Sequence, residues 1–369
     1  MPPVSVLIKP ASGMCNMSCD YCFYCDETSK RSQASYGFMS EATLKNVIRK
    51  TILNAQGAAH YMFQGGEPTL IGIPFFQKAL YYQQHYNKKG IAVYNAIQTN
   101  GTLLNEDWCR FLSENKFLVG LSVDGTQEIH DGLRHTASGG STFHMAVRAA
   151  RLMDQFHVEY NILTVVTPMI ASQVDEVYSF YQKQGWRYQQ YIPCLDPLGE
   201  AHGQTPHALP PRLYGRFLID LFSLWYRDVQ KGRAPYNRQF ENYISIAAGY
   251  YPASCDQCGV CSIQNVVEAN GNVYPCDFYM LDEYLLGNFN ENNFSQINQK
   301  RSEIGFVERS YLLSARCRDC KYHWICKGGC QRNRDYNPDS NTYENYYCES
   351  YRMFFDSCLE KIQELAKDR

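Results

Sequence analysis

The sequence predicts an α/β fold: a parallel sheet of six strand–helix units, open or only partly closed as a barrel, followed by a cysteine-rich C-terminal third. Three observations lead there. Six β-rich runs alternate with segments of helical periodicity. Glycine-rich and polar loops follow four of those runs. Ten of the 16 cysteines fall between residues 255 and 358.

The strand runs are VSVLIKP (4–10), HYMFQ (60–64), IAVYNAIQT (91–99), FLVGLSVD (117–124), EYNILTVVTP (159–168) and QQYIPCL (189–195). Helical stretches between them carry start and stop signals. One opens at Ser40 and runs to about 56, and another begins near Asn105. A third opens at 172 as S-x-x-D, Ser172 to Asp175, and closes at Gly185. Such alternation predicts right-handed crossovers and a parallel sheet. Six units over about 230 residues fall short of the eight that close a full barrel. A doubly wound sheet is the alternative, and both architectures gather ligand sites at the C-terminal ends of the strands. The expected division is a core domain over residues 1–235 and a cysteine-rich domain over 236–369.

Composition narrows the function. The 369 residues carry a net charge of −2 with both signs interspersed, which predicts no nucleic-acid partner. The start, MPPVSVLIKP, lacks the cationic and apolar regions of an export signal, and no stretch has the apolar length of a membrane span. A cytoplasmic chain keeps its thiols reduced, so metal binding is expected over a disulfide scaffold.

The loops after the strands hold the chemistry. After the first comes CNMSCDYC (15–22), and after the second GGEP (65–68). After the third comes TNG (99–101), and after the fourth SVDG (122–125) with Arg134 beyond. Gly65 and Gly66 let backbone approach a ligand, and Glu67 offers an acceptor for an amine; alone, GGEP also reads as a tight turn. Cys15, Cys19 and Cys22 offer three thiolates to one centre. Two readings stand at this point: zinc completed by a distant histidine, or an iron–sulfur cube whose fourth iron is left open for a ligand. Cys25 is a further candidate for the fourth position.

CNMSCDYC resembles the C-x3-C-x-Φ-C signature of the radical S-adenosylmethionine superfamily, with Tyr21 as the aromatic, and GGEP resembles its GGE motif. The resemblance implies a partial (β/α)6 barrel in which Cys15, Cys19 and Cys22 hold a [4Fe-4S] cluster. S-adenosyl-L-methionine chelates the open iron and is cleaved to a 5′-deoxyadenosyl radical. By position, Tyr21 lies against the adenine, Gly66 meets the amino group beside Gly65 and Glu67, and Ser122 faces the ribose near Asp124. Arg134 meets the carboxylate, and Leu195 covers the adenine.

A second match lies downstream. Cys261, Gly271 and Cys276, then Cys317, Cys320, Cys326, Cys330 and Cys348, follow C-x9-G-x4-C…C-x2-C-x5-C-x3-C…C. This resembles the SPASM extension, which implies two auxiliary [4Fe-4S] clusters and an eighth ligand upstream. Cys255 and Cys258 both qualify, with Cys255 preferred. The family's interleaving implies Cys255, Cys261, Cys276 and Cys330 for one cluster and Cys317, Cys320, Cys326 and Cys348 for the other. Cysteines 25, 109, 194, 258 and 358 then remain, expected as small buried residues.

CNMSCDYCFYCD, QGGEPTL, QTNG, GLSVDGT with HDGLR, and VYPCDFY together resemble the anaerobic sulfatase-maturating enzymes. The short stretch before Cys15 leaves no room for the precursor-recognition domain of many peptide-crosslinking relatives. The resemblance implies oxidation of a sulfatase cysteine, or in some members a serine, to Cα-formylglycine, with Asp277 as proton acceptor. It also implies a sulfatase C-x-P-x-R segment as partner and an electron donor such as flavodoxin or ferredoxin. The alternatives are another SPASM reaction, such as a thioether crosslink, and a non-catalytic iron–sulfur carrier or zinc scaffold.

Overall fold

The computed structural model describes residues 3–367 and Arg369. Its strands, in chain order, are β1 (Val4–Ile8), β2 (Met17–Cys19), β3 (Ala58–Phe63), β4 (Ala92–Thr99), β5 (Leu118–Ser122), β6 (Arg134–Thr136), β7 (Tyr160–Val166), β8 (Tyr188–Pro193), β9 (Tyr236–Asn237), β10 (Asn265–Val267), β11 (Asn272–Tyr274), β12 (Gly287–Asn288), β13 (Arg334–Asn337) and β14 (Thr342–Asn345). All six predicted runs form strands, each within a few residues of its expected bounds.

Two compact units emerge, both discontinuous in sequence. The first takes the chain up to Val123, Asp131–Tyr160 and Ile263–Gly305; the second takes Asp124–His130, Asn161–Ser262 and Phe306 onward. The division read at 235/236 follows motif content, whereas packing follows strand pairing. The segment holding β10 to β12 comes from the cysteine-rich third but belongs to the first unit.

In the first unit the strand order is β12-β11-β10-β1-β3-β4-β5. β10, β1, β3, β4 and β5 run parallel, and β11 and β12 close the edge antiparallel. Ile8 pairs with Phe63, Phe63 with Ile97, and Ile97 with Val119, all at most 1 % exposed. This register sets the loops after β1, β3, β4 and β5 side by side at one end of the sheet. Phe63, Phe76 and Trp108 stack edge to face below it, at 5.0 and 5.3 Å between centroids. Burying side chains of this kind stabilises by about 1.5–3 kcal/mol each. The helix Glu41–Asn54 starts at Ser40, whose side chain accepts from Thr43 N, and Glu106–Glu114 starts at Asn105, which accepts from Trp108 N. Both caps match the sequence signals.

The second unit carries β7, β8 and β9, all parallel, and the hairpin β13–β14. Its long helices, Pro211–Val229 and Cys348–Ala366, meet through Phe222 on Phe354 at 5.7 Å and Tyr214 on Tyr347 at 4.9 Å. The helix expected from Ser172 is two helices, Pro168–Ser172 and Val174–Gln184. Thr167 caps the first by accepting from Ile170 N, and the Ser172 hydroxyl donates to Pro168 O within it. The Gly185 stop is left-handed, as its sequence context predicts. Among the described residues no helix is long and apolar enough to cross a membrane.

Candidate active site

The loop after β1 carries the three thiols of CNMSCDYC on a run of local turns. Cys22 N donates to Cys19 O at 3.1 Å, and Cys22 stands at the head of the helix Phe23–Ser29. β2 pairs antiparallel with β6 so that Cys19 faces Arg134, whose Nη1 lies 3.8 Å from Cys19 Sγ. The Arg134 guanidinium also covers the Tyr21 ring at 5.6 Å. Cys15 Sγ receives Met17 N at 3.4 Å and Asn100 Nδ2 at 3.8 Å. None of the sixteen cysteines is in a disulfide. Among the described residues no three cysteine, histidine or carboxyl groups converge closely enough to grip one ion. Fit to a cluster therefore rests on the donor set. Three thiols on one loop, with amide N–H groups and a guanidinium directed at sulfur, are the environment that favours thiolate ligands.

GGEP supports this loop from the end of β3. Gly66 has φ +52°, and a Cβ there would lie 2.0 Å from Met14 O, so only glycine lets the loop pass. Glu67 N donates to Met14 O at 2.8 Å. The Glu67 carboxylate, 1 % exposed, is occupied by the chain itself. Oε1 accepts from Thr69 N, Thr69 Oγ1 and Thr99 Oγ1 at 3.0, 2.5 and 2.8 Å, and Oε2 accepts from Asn100 N at 2.8 Å. Burial pushes its pKa up and these donors pull it back. The expected amine acceptor is thus first a brace holding TNG against the cysteine loop. Ser122 is buried and receives Gln98 Nε2 at 3.0 Å. In the second unit, Asp124 is fully buried and its Oδ1 accepts from Val165 N at 2.9 Å, a bond within the framework, and Leu195 is half-buried after β8.

Asp277 belongs to the first unit, where it is 6 % exposed. Its Oδ2 accepts from the Tyr24 hydroxyl at 2.7 Å and from Gln64 Nε2 at 3.2 Å, and Gln64 also donates to Tyr24 at 2.6 Å. Oδ1 is buried with no partner. Burial raises the Asp277 pKa against the charge of Lys9 and the Tyr24 bond. Glu27, 2 % exposed, is pushed up to about 8, chiefly by burial, with Lys9 opposing. Arg31 pairs with Glu268 at 2.7 Å, both side chains fully enclosed. An orphaned buried acceptor beside a hydroxyl and an amide is a group equipped to take a proton.

The second unit holds all but one of the cysteines expected as auxiliary ligands. A small cavity is lined by Cys255, Cys261 and Cys330 with Ser310, Gln331 and Arg334. Cys258 is not on its wall, and its thiol donates to Ser254 O at 3.4 Å. Burial, and then the charge of neighbouring cysteines, raises the pKa of Cys317, Cys326 and Cys348, and Cys348 opens the helix Cys348–Ala366. Cys276 follows β11 in the first unit. Of the five cysteines expected as small buried residues, Cys109, Cys194 and Cys358 are buried. Cys25 is exposed on the first turn of a seven-residue helix, and Cys258 is half-buried at the end of a one-turn helix.

Tyr24, Gln64 and Lys9 escaped the sequence reading. The last two sit at C-terminal ends of β3 and β1, the positions where ligand groups gather, and that placement was the signal available for finding them.

Two family models match: the radical SAM superfamily over residues 10–180 and an iron–sulfur cluster-binding domain, SPASM, over 255–321. A cysteine-type anaerobic sulfatase-maturating enzyme of Clostridium perfringens (strain ATCC 13124) is 42 % identical over 368 residues, covering all of both chains. A serine-type counterpart from Bacteroides thetaiotaomicron is 30 % identical, covering 99 % of this chain and 92 % of its own. The solved structure of native anSMEcpe with bound AdoMet and Cp18Cys peptide superposes with a TM-score of 0.94 at 42 % identity, covering 100 % and 99 % of the two chains.

Proposed function

Because this chain belongs to the anaerobic sulfatase-maturating enzymes, within the radical SAM superfamily, we propose that it oxidises a cysteine in a C-x-P-x-R segment of a sulfatase to Cα-formylglycine. Cysteine rather than serine is favoured by the higher identity to the cysteine-type relative. We assign Cys15, Cys19 and Cys22 to the cluster that chelates S-adenosylmethionine, with Tyr21, Gly65, Gly66, Ser122 and Arg134 toward that cofactor. Asp124 and Leu195 complete the cofactor residues implied by the family pattern. Of the two upstream candidates, Cys255 is assigned as an auxiliary ligand because it shares a cavity with Cys261 and Cys330. The other auxiliary ligands are those of the family pattern, Cys317, Cys320, Cys326 and Cys348 among them. The proposed division keeps a radical core over 1–235 and a cluster domain over 236–369. A cytoplasmic setting and an external electron donor such as flavodoxin or ferredoxin accompany the reading.

When bound, the reduced cluster and S-adenosylmethionine supply the one-electron oxidant that removes a hydrogen atom from the substrate Cβ. The chain's own part is protonic. The substrate thiol proton needs an acceptor, and the second electron, which a cluster held by the auxiliary cysteines would take up, leaves most easily once sulfur is deprotonated. Asp277 fits that role through its partnerless Oδ1, the observation that carries this reading, while Oδ2 is fixed by Tyr24 and Gln64. Arg134, beside Cys19, offers a fixed cation for a carboxylate. Water then replaces sulfur, releasing hydrogen sulfide.

The test is Asp277→Asn in anaerobically reconstituted protein. Cofactor cleavage and iron content should stay near normal while formylglycine on a C-x-P-x-R peptide falls at least tenfold. A normal aldehyde yield would remove Asp277 from the mechanism. Loss of two hydrogens with sulfur retained in the wild-type product would favour a crosslinking activity instead.

A further inference from the structure

Lys9 follows β1 directly and is 1 % exposed. Its Nζ donates to the Met280 sulfur at 3.2 Å, a weak acceptor, and stands 4.3 Å from the centre of the Tyr24 ring. Met280 itself is locked in the apolar cluster of Val266 and Tyr274. An ammonium buried with a thioether as its hydrogen-bond partner is costly unless nearby charge offsets it. The offsetting group is Asp277, whose carboxylate responds to the charge of Lys9. Passage to this position depends on Gly65. A Cβ there would lie 2.3 Å from Lys9 Cε and 2.7 Å from its Cγ, and the residue has φ +88°. The two glycines of GGEP therefore divide their tasks: Gly66 admits the backbone of residues 13–14, and Gly65 admits the lysine.

We propose that Lys9 is the positioning residue of the proton acceptor. Its ammonium, led across the open face of Gly65, clamps the Tyr24 ring from above, and Tyr24 in turn holds Asp277 Oδ2, leaving Oδ1 for the substrate thiol. The fixed cation on the ring face sets the ring plane, and the ring plane sets the direction of the hydroxyl. This assignment rests on the role of Asp277 given above. It makes Gly65 a residue for the base as well as for the cofactor loop.

The experiment compares reconstituted wild type, Lys9→Met, Gly65→Ala and Asp277→Asn. Each is assayed for iron, for 5′-deoxyadenosine release and for formylglycine on the same C-x-P-x-R peptide. Lys9→Met should keep iron and 5′-deoxyadenosine release within twofold. Formylglycine formed per 5′-deoxyadenosine should fall at least tenfold, through kcat, with the peptide KM within threefold. Amine acylation read by mass spectrometry gives a measure independent of turnover: Lys9 should resist labelling in wild type and become labelled in Gly65→Ala. If Lys9→Met loses iron, Lys9→Gln, assayed in the same way, carries the test, with the same fall in aldehyde per 5′-deoxyadenosine. A wild-type ratio of aldehyde to 5′-deoxyadenosine in the folded variant overturns the proposal, as does rapid labelling of Lys9 in wild type. If Asp277→Asn uncouples while Lys9→Met does not, the Lys9 assignment alone falls. If neither uncouples, the role of Asp277 falls with it.

Discussion

Replacing Glu67 by glutamine changes one atom of a fully used acceptor. Oε1 receives three donors and Oε2 receives Asn100 N at 2.8 Å. The best placement of the amide keeps its oxygen on the three-donor side and turns NH2 toward Asn100 N–H. One charge-assisted bond worth about 1.5–3 kcal/mol is lost, and a buried N–H is stranded at about 1–3 kcal/mol more. The neutral amide is easier to bury than the carboxylate, which offsets part of this, leaving a net cost of about 2–4 kcal/mol. The damage is local to TNG, because Asn100 also donates to Asn16 Oδ1 at 2.9 Å and reaches Cys15 Sγ. Amide hydrogen exchange followed by mass spectrometry reads it directly. Protection over residues 99–102 should drop by about 30- to 1000-fold, the equivalent of that free energy, and the helix Pro211–Val229 should be unaffected. Unchanged exchange at 99–102 would refute the reading of Glu67 as a brace.

Gly66→Ala forces a Cβ onto the Met14 carbonyl at a positive φ, so iron per chain should fall by about one cube in three, about four of twelve atoms, in iron analysis. Cys255→Ser should lower iron and bleach visible cluster absorption, whereas Cys258→Ser should leave both at the wild-type level. Glu27 has a pKa raised to about 8 against the ordinary 4.5 of a glutamate side chain, so its folded form keeps a proton that the unfolded chain releases. The fold therefore loses stability as pH rises toward 8. Between pH 6 and 9, Glu27→Gln should gain about 2–3 kcal/mol relative to wild type, seen as a shift in urea midpoint. A parallel pH dependence of the two proteins would show that Glu27 is ionised in the fold.

Local signals were legible and long-range convergence was not. Ser40, Asn105 and Gly185 act through neighbours within four residues, so the sequence displays cap and partner together. Ser172 misled because Thr167–Pro168, five residues earlier, is the stronger start signal. The cysteine motifs and GGEP were readable from spacing, but the brace formed by Glu67 spans 33 positions to Asn100 and gives no local sign. The charged cluster of Lys9, Tyr24, Glu27, Arg31, Gln64, Glu268 and Asp277 draws on four separate segments. Only the pairing of β10 with β1 brings these together, and β10 is a three-residue strand too short to stand out as a pattern.

That pairing also fixes a timetable for biosynthesis. Val6 takes Asn265 as its neighbour, so the first strand made waits for a partner near the far end of the chain. At about 5–20 residues per second, a ribosome delivers that partner roughly 15–50 s after β1. Through this interval β1 has an unpaired edge, the kind of surface that recruits foreign strands. The carboxylate pocket around Asp277 and Glu268 does not yet exist, while the thiols at 15–22 are already synthesised. The N-terminal cysteine loop and its braces at Glu67, Asn100 and Arg134 are thus made early, and the pocket around the proton acceptor is completed late.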